Sequence, residues 1–275
     1  MHKRGIATDS TYYEESKMFH GSLKNIMGTR FDILIMGQNK LKSQEIWNDI
    51  VFELRRLHRI FNRFDNTSET SKINREAILA PVRVSPEMWS ILQSSQMYYT
   101  RTLTLFDITL NDFSKVLMNE NDHSVFFSKK DISLDFGGYA KGYAIVKVRD
   151  LIYRAGVQHC FIDFGNSSIL GIGHHPYGDA WKVSVGNPYN CDEAMDEISL
   201  KDLALSVSGN TPSYAGHIVR PDSGEPVKGH KAVSVTSENP LDAEVLSTVF
   251  MIATDTEKKR ISKNFKVQNI SEYRL

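Results

Sequence analysis

At 275 residues the chain is long enough for one large domain or two intimate lobes. Hydrophobic residues make up 41% and charged residues 24%, the ordinary balance of a globular protein rather than a disordered or membrane-spanning one. Lys plus Arg equal Asp plus Glu at 33 each, which removes any general attraction to nucleic acid or an anionic membrane surface.

Taken in chain order, residues 1–22 are polar and aperiodic and read as an N-terminal arm, with the folded domain expected over 23–275. Phe31 to Met36 (FDILIM) is rich in strand formers. Leu41 to Phe61 carries Ile46, Trp47, Ile50, Leu54, Leu57 and Phe61 at helical spacing and predicts a long amphipathic helix. Asn62 to Arg75 reads as polar loop. Ser85-Pro86 starts a second helix, a capping hydroxyl before a proline at the first helical position, running to about Arg101.

A third helix begins inside Gly137–Gly142 and ends near Ala155, with Gly156 as its C-terminal cap. Strand-like runs follow at His159–Phe164, Trp181–Val185, Leu203–Val207 and Ala232–Thr236, and a last helix covers roughly Pro240 to Thr254. The basic run Lys258, Lys259, Arg260 and Lys263 reads as a solvated helix end. Helices and strands mix without a regular βαβ beat, so the class is α+β with mixed or antiparallel sheets. Of two cysteines, Cys160 lies in an apolar run and reads as a buried small hydrophobe, and neither stands in a CxxC pair. No run reaches transmembrane length, and MHKRGIATDSTYYEESK lacks the apolar core of a signal peptide. As written the chain reads as cytoplasmic; a leader ahead of it would make it periplasmic or membrane-anchored.

Leu134 to Ala144, LDFGGYAKGYA, is the most informative stretch. A glycine-rich entry to a helix brings backbone N–H groups close to an anion, and Lys141 adds a positive charge. Six other groups are each ambiguous alone. Met27-Gly28-Thr29 is a plain turn or a place where ligand approaches backbone. Ser68 to Asn74 caps a short helix or faces a cleft, and Asp107 in Phe106-Asp107-Ile108-Thr109 braces a loop or faces a ligand. Asp163 to Ser168 runs from a strand into Gly165-Asn166-Ser167-Ser168, a surface turn or an anion site. After Ser208-Gly209, His217 stands in a loop shaped by Pro221 and Gly224, as a structural histidine or a proton carrier. Glu244 and Thr248 share a helix face, as a helix cap or a satisfied internal hydrogen bond, or as two oxygens for a hard cation.

The order of these pieces is more specific than any one of them. MGT, SxxSxxN, FDxT, GGxAKGY, DxG, SG, HIxxPxSG and AExxST together resemble the ApbE family of flavin transferases, from about Met27 to Ala253. That resemblance implies a two-lobed α+β fold with FAD in the cleft between lobes. It also implies Mg²⁺-dependent transfer of FMN from FAD to a threonine or serine of an acceptor protein, with release of AMP. Hydrolysis of FAD to FMN and AMP, or FAD binding without turnover, are the alternatives.

Carried over residue by residue, Met27, Gly28 and Thr29 lie at the flavin end, and Ser68, Ser71 and Asn74 match the serine-rich helix start. Phe106 and Asp107 match the Phe-Asp pair. Gly138, Ala140, Lys141 and Gly142 face pyrophosphate and metal, with Gly165 and Ser208 nearby. His217 is the active-site histidine, and with Lys141 forms the expected catalytic pair. Glu244 and Thr248 are metal ligands together with Ala140. The chain departs from the family pattern at Glu244, where an aspartate is usual, and at Val146, Asn166-Ser167 and Thr104-Leu105.

Overall fold

The computed structural model describes residues 5–212 and 218–275. Its centre is an eight-stranded antiparallel sheet. The strands are β1 (Ala7–Tyr13), β2 (Met18–Ile26), β3 (Thr29–Met36), β7 (Cys160–Phe164), β8 (Ser168–Ile172), β11 (Leu203–Gly209), β12 (Lys231–Ser237) and β13 (Val267–Arg274), in that spatial order. A three-stranded sheet of β4 (Val82–Arg83), β6 (Ser124–Phe127) and β5 (Val116–Asn119) stands apart from it. The helices are α1 (Lys40–Phe61), α2 (Glu69–Glu76), α3 (Pro86–Arg101), α4 (Ala140–Arg154), α5 (Pro240–Ile252) and α6 (Asp255–Ile261). Helices plus antiparallel sheets make this an α+β protein, as the mixed sequence pattern predicts.

Two-residue periodicity in β3 decides how the layers stack. Phe31, Ile33 and Ile35 point to one face and pack in the main core with Ile46, Trp47, Ile50 and Leu54 of α1 and with the apolar faces of α4 and α5. Leu34 and Met36 point to the other face. There a two-stranded ribbon, β9 (Trp181–Asn187) with β10 (Asn190–Leu200), lays Trp181, Val183, Val185 and Leu200 over Ile169 and Leu205. The sheet is covered on both sides, so β12 reads AVSVT with every residue buried. Each large side chain so enclosed stabilises the fold by about 1.5–3 kcal/mol in transfer terms.

Start signals agree with the helices. Asn39 accepts the Lys42 N–H at 2.8 Å, Ser85 the Met88 N–H at 3.1 Å with Pro86 beginning α3, and Thr254 and Glu257 form a capping box on α6. Cys160 is fully buried, and burial pushes its thiol up. Among the described residues, no helix is long and apolar enough to cross a membrane.

Two stretches differ from the sequence expectation. The lead-in expected over 1–22 holds β1 and the first half of β2, a hairpin registered from Ala7 opposite Lys24 to Tyr13 opposite Met18. Its period-two signal is masked because β1 is an edge strand whose side chains are mostly exposed and polar. The loop expected over 62–75 contains α2, which Ser68 caps by accepting the Ser71 N–H at 3.0 Å. Its apolar content is a single isoleucine, Ile73, so hydrophobic periodicity could not reveal it.

Candidate active site

The glycine-rich segment enters α4 under three restraints. Asn74 clasps Leu134 by both main-chain groups, accepting its N–H at 2.7 Å and donating to its carbonyl at 3.0 Å. The Asp135 N–H donates to the Ile108 carbonyl at 2.6 Å. The Asp135 carboxylate pairs with Arg63 at 3.2 Å and accepts the Gly137 N–H at 2.8 Å. These bonds fix Gly137 and Gly138 at the mouth of the helix, where the Tyr139 and Ala140 N–H groups both donate to the Phe136 carbonyl, at 3.0 and 2.8 Å.

α4 then runs against α5 in its first turn, at Gly142. A β-carbon on Gly142 would stand 2.6 Å from Glu244 Cβ and 3.0 Å from Leu241 Cα, so only glycine allows the approach. That contact brings Lys141 beside Glu244, with Nζ 2.9 Å from Oε1. The same ammonium donates to Ser167 Oγ at 2.8 Å and Ser168 Oγ at 2.7 Å, reaching the turn after β7. Glu244 is 4% exposed. Its Oε2 accepts from Ser168 Oγ and, at 3.1 Å, from Ser206 Oγ. A buried carboxylate is tolerated because each oxygen has a donor.

The hydroxyls continue past this pair. Ser206 and Ser208 lie two apart on β11 and face α5, where Ser247 Oγ is 3.0 Å from Ser206 Oγ and 2.8 Å from Ser208 Oγ. Thr248 Oγ1 stands 3.3 Å from Ser208 Oγ and closes the row. Gly138 leaves room beside it, since a β-carbon there would meet Thr248 Oγ1 at 3.5 Å.

These elements surround one cleft of about 1140 Å³. Phe106, Gly138, Lys141, Gly165, Ser208, Glu244 and Thr248 line it, and the β9–β10 ribbon supplies a wall that includes Lys182, Gly186 and Met195. Its volume suits a large organic ligand.

Several expected residues support the cleft from outside its lining. Ser68 caps α2, and Asn74 holds the glycine segment as described. The Met27 N–H donates to His58 Nδ1 at 3.0 Å. Met27 and Gly28 both have positive φ and turn the chain from β2 into β3. Thr29 lies beneath Gly165, whose φ of +71° and lack of a β-carbon (one would meet Thr29 Oγ1 at 2.6 Å) let the turn close. Ala140 begins α4 between Gly138 and Lys141.

Asp107 borders the cleft, but its carboxylate points into its own loop. Oδ1 accepts from Thr109 N at 2.7 Å and Thr109 Oγ1 at 2.6 Å, and Oδ2 accepts from Phe113 N at 2.9 Å. Burial still pushes this carboxyl above its ordinary range. Asp242 faces away from Glu244 and accepts the Tyr98 hydroxyl at 2.5 Å, and desolvation raises its carboxyl as well. His217 lies outside the described residues.

Ser206 and Ser247 were not singled out from sequence. The alternation of serines along LALSVSG was the available signal, since residues two apart on a strand share a face. The ribbon wall had no such signal, because its cleft-side residues have no common chemistry.

An antiparallel sheet carrying helices on one face and a ribbon on the other, with a large cleft at the mouth of α4, defines the class as α+β. The ApbE family model matches residues 27–270, and the chain belongs to that family. It is 24% identical over 267 residues to the FAD:protein FMN transferase of Chlamydia muridarum, covering 82% of this chain and 80% of the relative. To the FAD:protein FMN transferase of Chlamydia trachomatis it is 25% identical, covering 73% and 72%. The fold superposes on the flavin transferase ApbE of Vibrio cholerae with a TM-score of 0.80 at 17% identity, covering 94% of this chain and 97% of that one. The ApbE protein of Thermotoga maritima gives 0.79 at 19%, covering 98% and 97%.

Proposed function

We propose that this chain is a FAD:protein FMN transferase, which moves FMN from FAD onto a threonine or serine hydroxyl of an acceptor protein and releases AMP. The observation that carries the reading is Lys141. It stands at the glycine-rich mouth of α4 and reaches Ser167, Ser168 and Glu244 on the border of a cleft of about 1140 Å³. Membership of a family whose curated relatives bear that name supports it.

The reaction is a displacement at the FMN-side phosphorus. The acceptor oxygen forms a bond to that phosphorus, the bond to the bridging oxygen breaks, and AMP leaves with the electron pair. Negative charge develops on the phosphoryl oxygens and the leaving group. Lys141 and the positive end of α4 are what the mouth of the helix offers to neutralise it. The acceptor proton goes to a base, for which we propose His217. Asn74, Asp135 and Ile108 hold the glycine segment so that the start of α4 and Lys141 need no rearrangement as charge builds.

Glu244 and Thr248 fit a hard cation. Both border the cleft from one face of α5, and Glu244 Oε1 takes a donor from Lys141 alone among the described residues. With the Ala140 carbonyl they would hold Mg²⁺, which when bound supplies further charge neutralisation at the two phosphates.

The test is incubation with FAD, Mg²⁺ and a domain carrying an acceptor threonine, followed by mass spectrometry. A gain of one FMN on the acceptor is expected. AMP and free FMN without acceptor labelling would make the chain a FAD hydrolase, and bound intact FAD without AMP would make it a flavin-binding protein. His217→Ala should stop AMP release and leave FAD binding in place.

A further inference from the structure

Four carboxylates border the cleft: Asp107, Asp135, Asp163 and Glu244. Three are held by fixed donors. Asp107 is closed by its own loop, and Asp135 by Arg63 and the Gly137 N–H. Asp163 accepts from Arg30 at 3.2 Å and from the Asn166 N–H at 2.8 Å. Glu244 differs. Its Oε2 is taken by two hydroxyls, whereas its Oε1 is met, among the described residues, by Lys141 alone. An ammonium on a four-carbon stem can leave by rotating its own side chain, and the Lys141 side chain keeps 20% of its surface exposed to the cleft.

We propose that Lys141 gates metal binding: its ammonium occupies the one oxygen of Glu244 that a divalent cation can use, and yields it when a pyrophosphate offers the ammonium another anion. The proposal rests on the flavin-transferase reading for the identity of that pyrophosphate, and on the Lys141–Glu244 pair for the gate. Mg²⁺ binds a carboxylate oxygen at about 2.0–2.1 Å, so it cannot share Oε1 with an ammonium without forcing two positive centres together in a mostly buried site. Metal alone meets a neutral ion pair. Metal arriving with a dinucleotide meets a carboxylate whose counter-ion has moved to a phosphate. Ser168 and Ser206 keep Glu244 in place through the exchange, since they hold Oε2 and not Oε1. Lys141 therefore makes metal binding depend on the dinucleotide, by a competition that the metal alone cannot relieve.

The experiment reads Mn²⁺ binding to the whole chain without flavin, by electron paramagnetic resonance of the free ion. Lys141→Met should bind Mn²⁺ at least about tenfold more tightly than the wild type, because the carboxylate loses its competitor. Mn²⁺ should also raise the Tm of Lys141→Met and leave that of the wild type in place. Glu244→Gln added to Lys141→Met should abolish both gains. If Lys141→Met fails to fold by circular dichroism, Lys141→Gln, which removes the charge and keeps a donor for the serines, is read in the same way. Equal Mn²⁺ affinity in wild type and variant, or a gain that survives Glu244→Gln, overturns the gate. Quenching of FAD fluorescence on the wild type separates the two readings. If FAD does not bind, the flavin assignment fails and the metal comparison still stands; if FAD binds and the metal affinities are equal, only the gate fails.

Discussion

Gly142 and Glu244 touch backbone to side chain where α4 crosses α5: a β-carbon on Gly142 would come within 2.6 Å of Glu244 Cβ. The missing side chain allows Lys141, one residue earlier, to reach the carboxylate. Gly142→Ala must push the helices apart, since Leu241 Cα and the Pro240 carbonyl are also within 3.0 Å of the added carbon. Overpacking of this kind costs about 1–3 kcal/mol. Urea denaturation should show that loss, together with weaker FAD binding. Gly138→Ala is the control, because its nearest neighbour would be Thr248 Oγ1 at an ordinary 3.5 Å.

Asn74 ties a helix distant in sequence to the glycine segment through two bonds to Leu134. Asn74→Ala leaves a main-chain N–H and carbonyl to find new partners, at a cost of about 1–3 kcal/mol. The glycine segment that lines the cleft loses its anchor at the same time. FAD titrations should therefore show a fall in affinity larger than for Ser68→Ala, which removes only the cap of α2.

The groups around Lys141, Ser168, Ser208 and Glu244, each ambiguous from sequence, are joined by long-range contacts that no single stretch discloses. Lys141, Ser168, Ser208, Glu244 and Thr248 come from α4, β8, β11 and α5, and the sheet order brings them together. Their order in the chain identified the family because it reflects that topology. Long helices were legible because apolar spacing and caps agree, as in α1 with Asn39 and α3 with Ser85 and Pro86. Strands β1 and β10 were not, because β1 is exposed along most of its length and β10 carries charges at Asp192, Glu193, Asp196 and Glu197. Asn74 and Ser68 were found as motif members, but only the coordinates separate residues that brace the cleft from those that border it.

His58 gives the fold a pH dependence. Its Nδ1 accepts the Met27 N–H, and burial lowers its pKa below the ordinary histidine value of 6.5. The folded state therefore binds fewer protons than the unfolded state just below that value. Stability should be full above pH 6.5 and fall as pH drops from there towards the folded-state pKa. Urea midpoints measured from pH 7.5 to 5 should decline in the wild type and flatten in His58→Gln. A wild-type decline retained in full by His58→Gln would assign the effect to other groups.

Ser206 Oγ lies 3.1 Å from Glu244 Oε2 and 3.0 Å from Ser247 Oγ, so it joins the carboxylate to the hydroxyl row. Ser206→Ala removes a donor from a carboxylate that is 4% exposed, and losing one such bond costs about 1.5–3 kcal/mol. Glu244→Gln changes the same bond from the other side, with Lys141 left facing a neutral amide. If the two residues act through one shared contact, the double variant should be less unstable than the sum of the singles, with an interaction energy of about 0.5–3 kcal/mol. Urea denaturation of the four proteins in the cycle measures this. Strict additivity would mean that Ser206 stabilises the fold through Ser247 alone, and would leave Ser168 as the hydroxyl that holds Oε2.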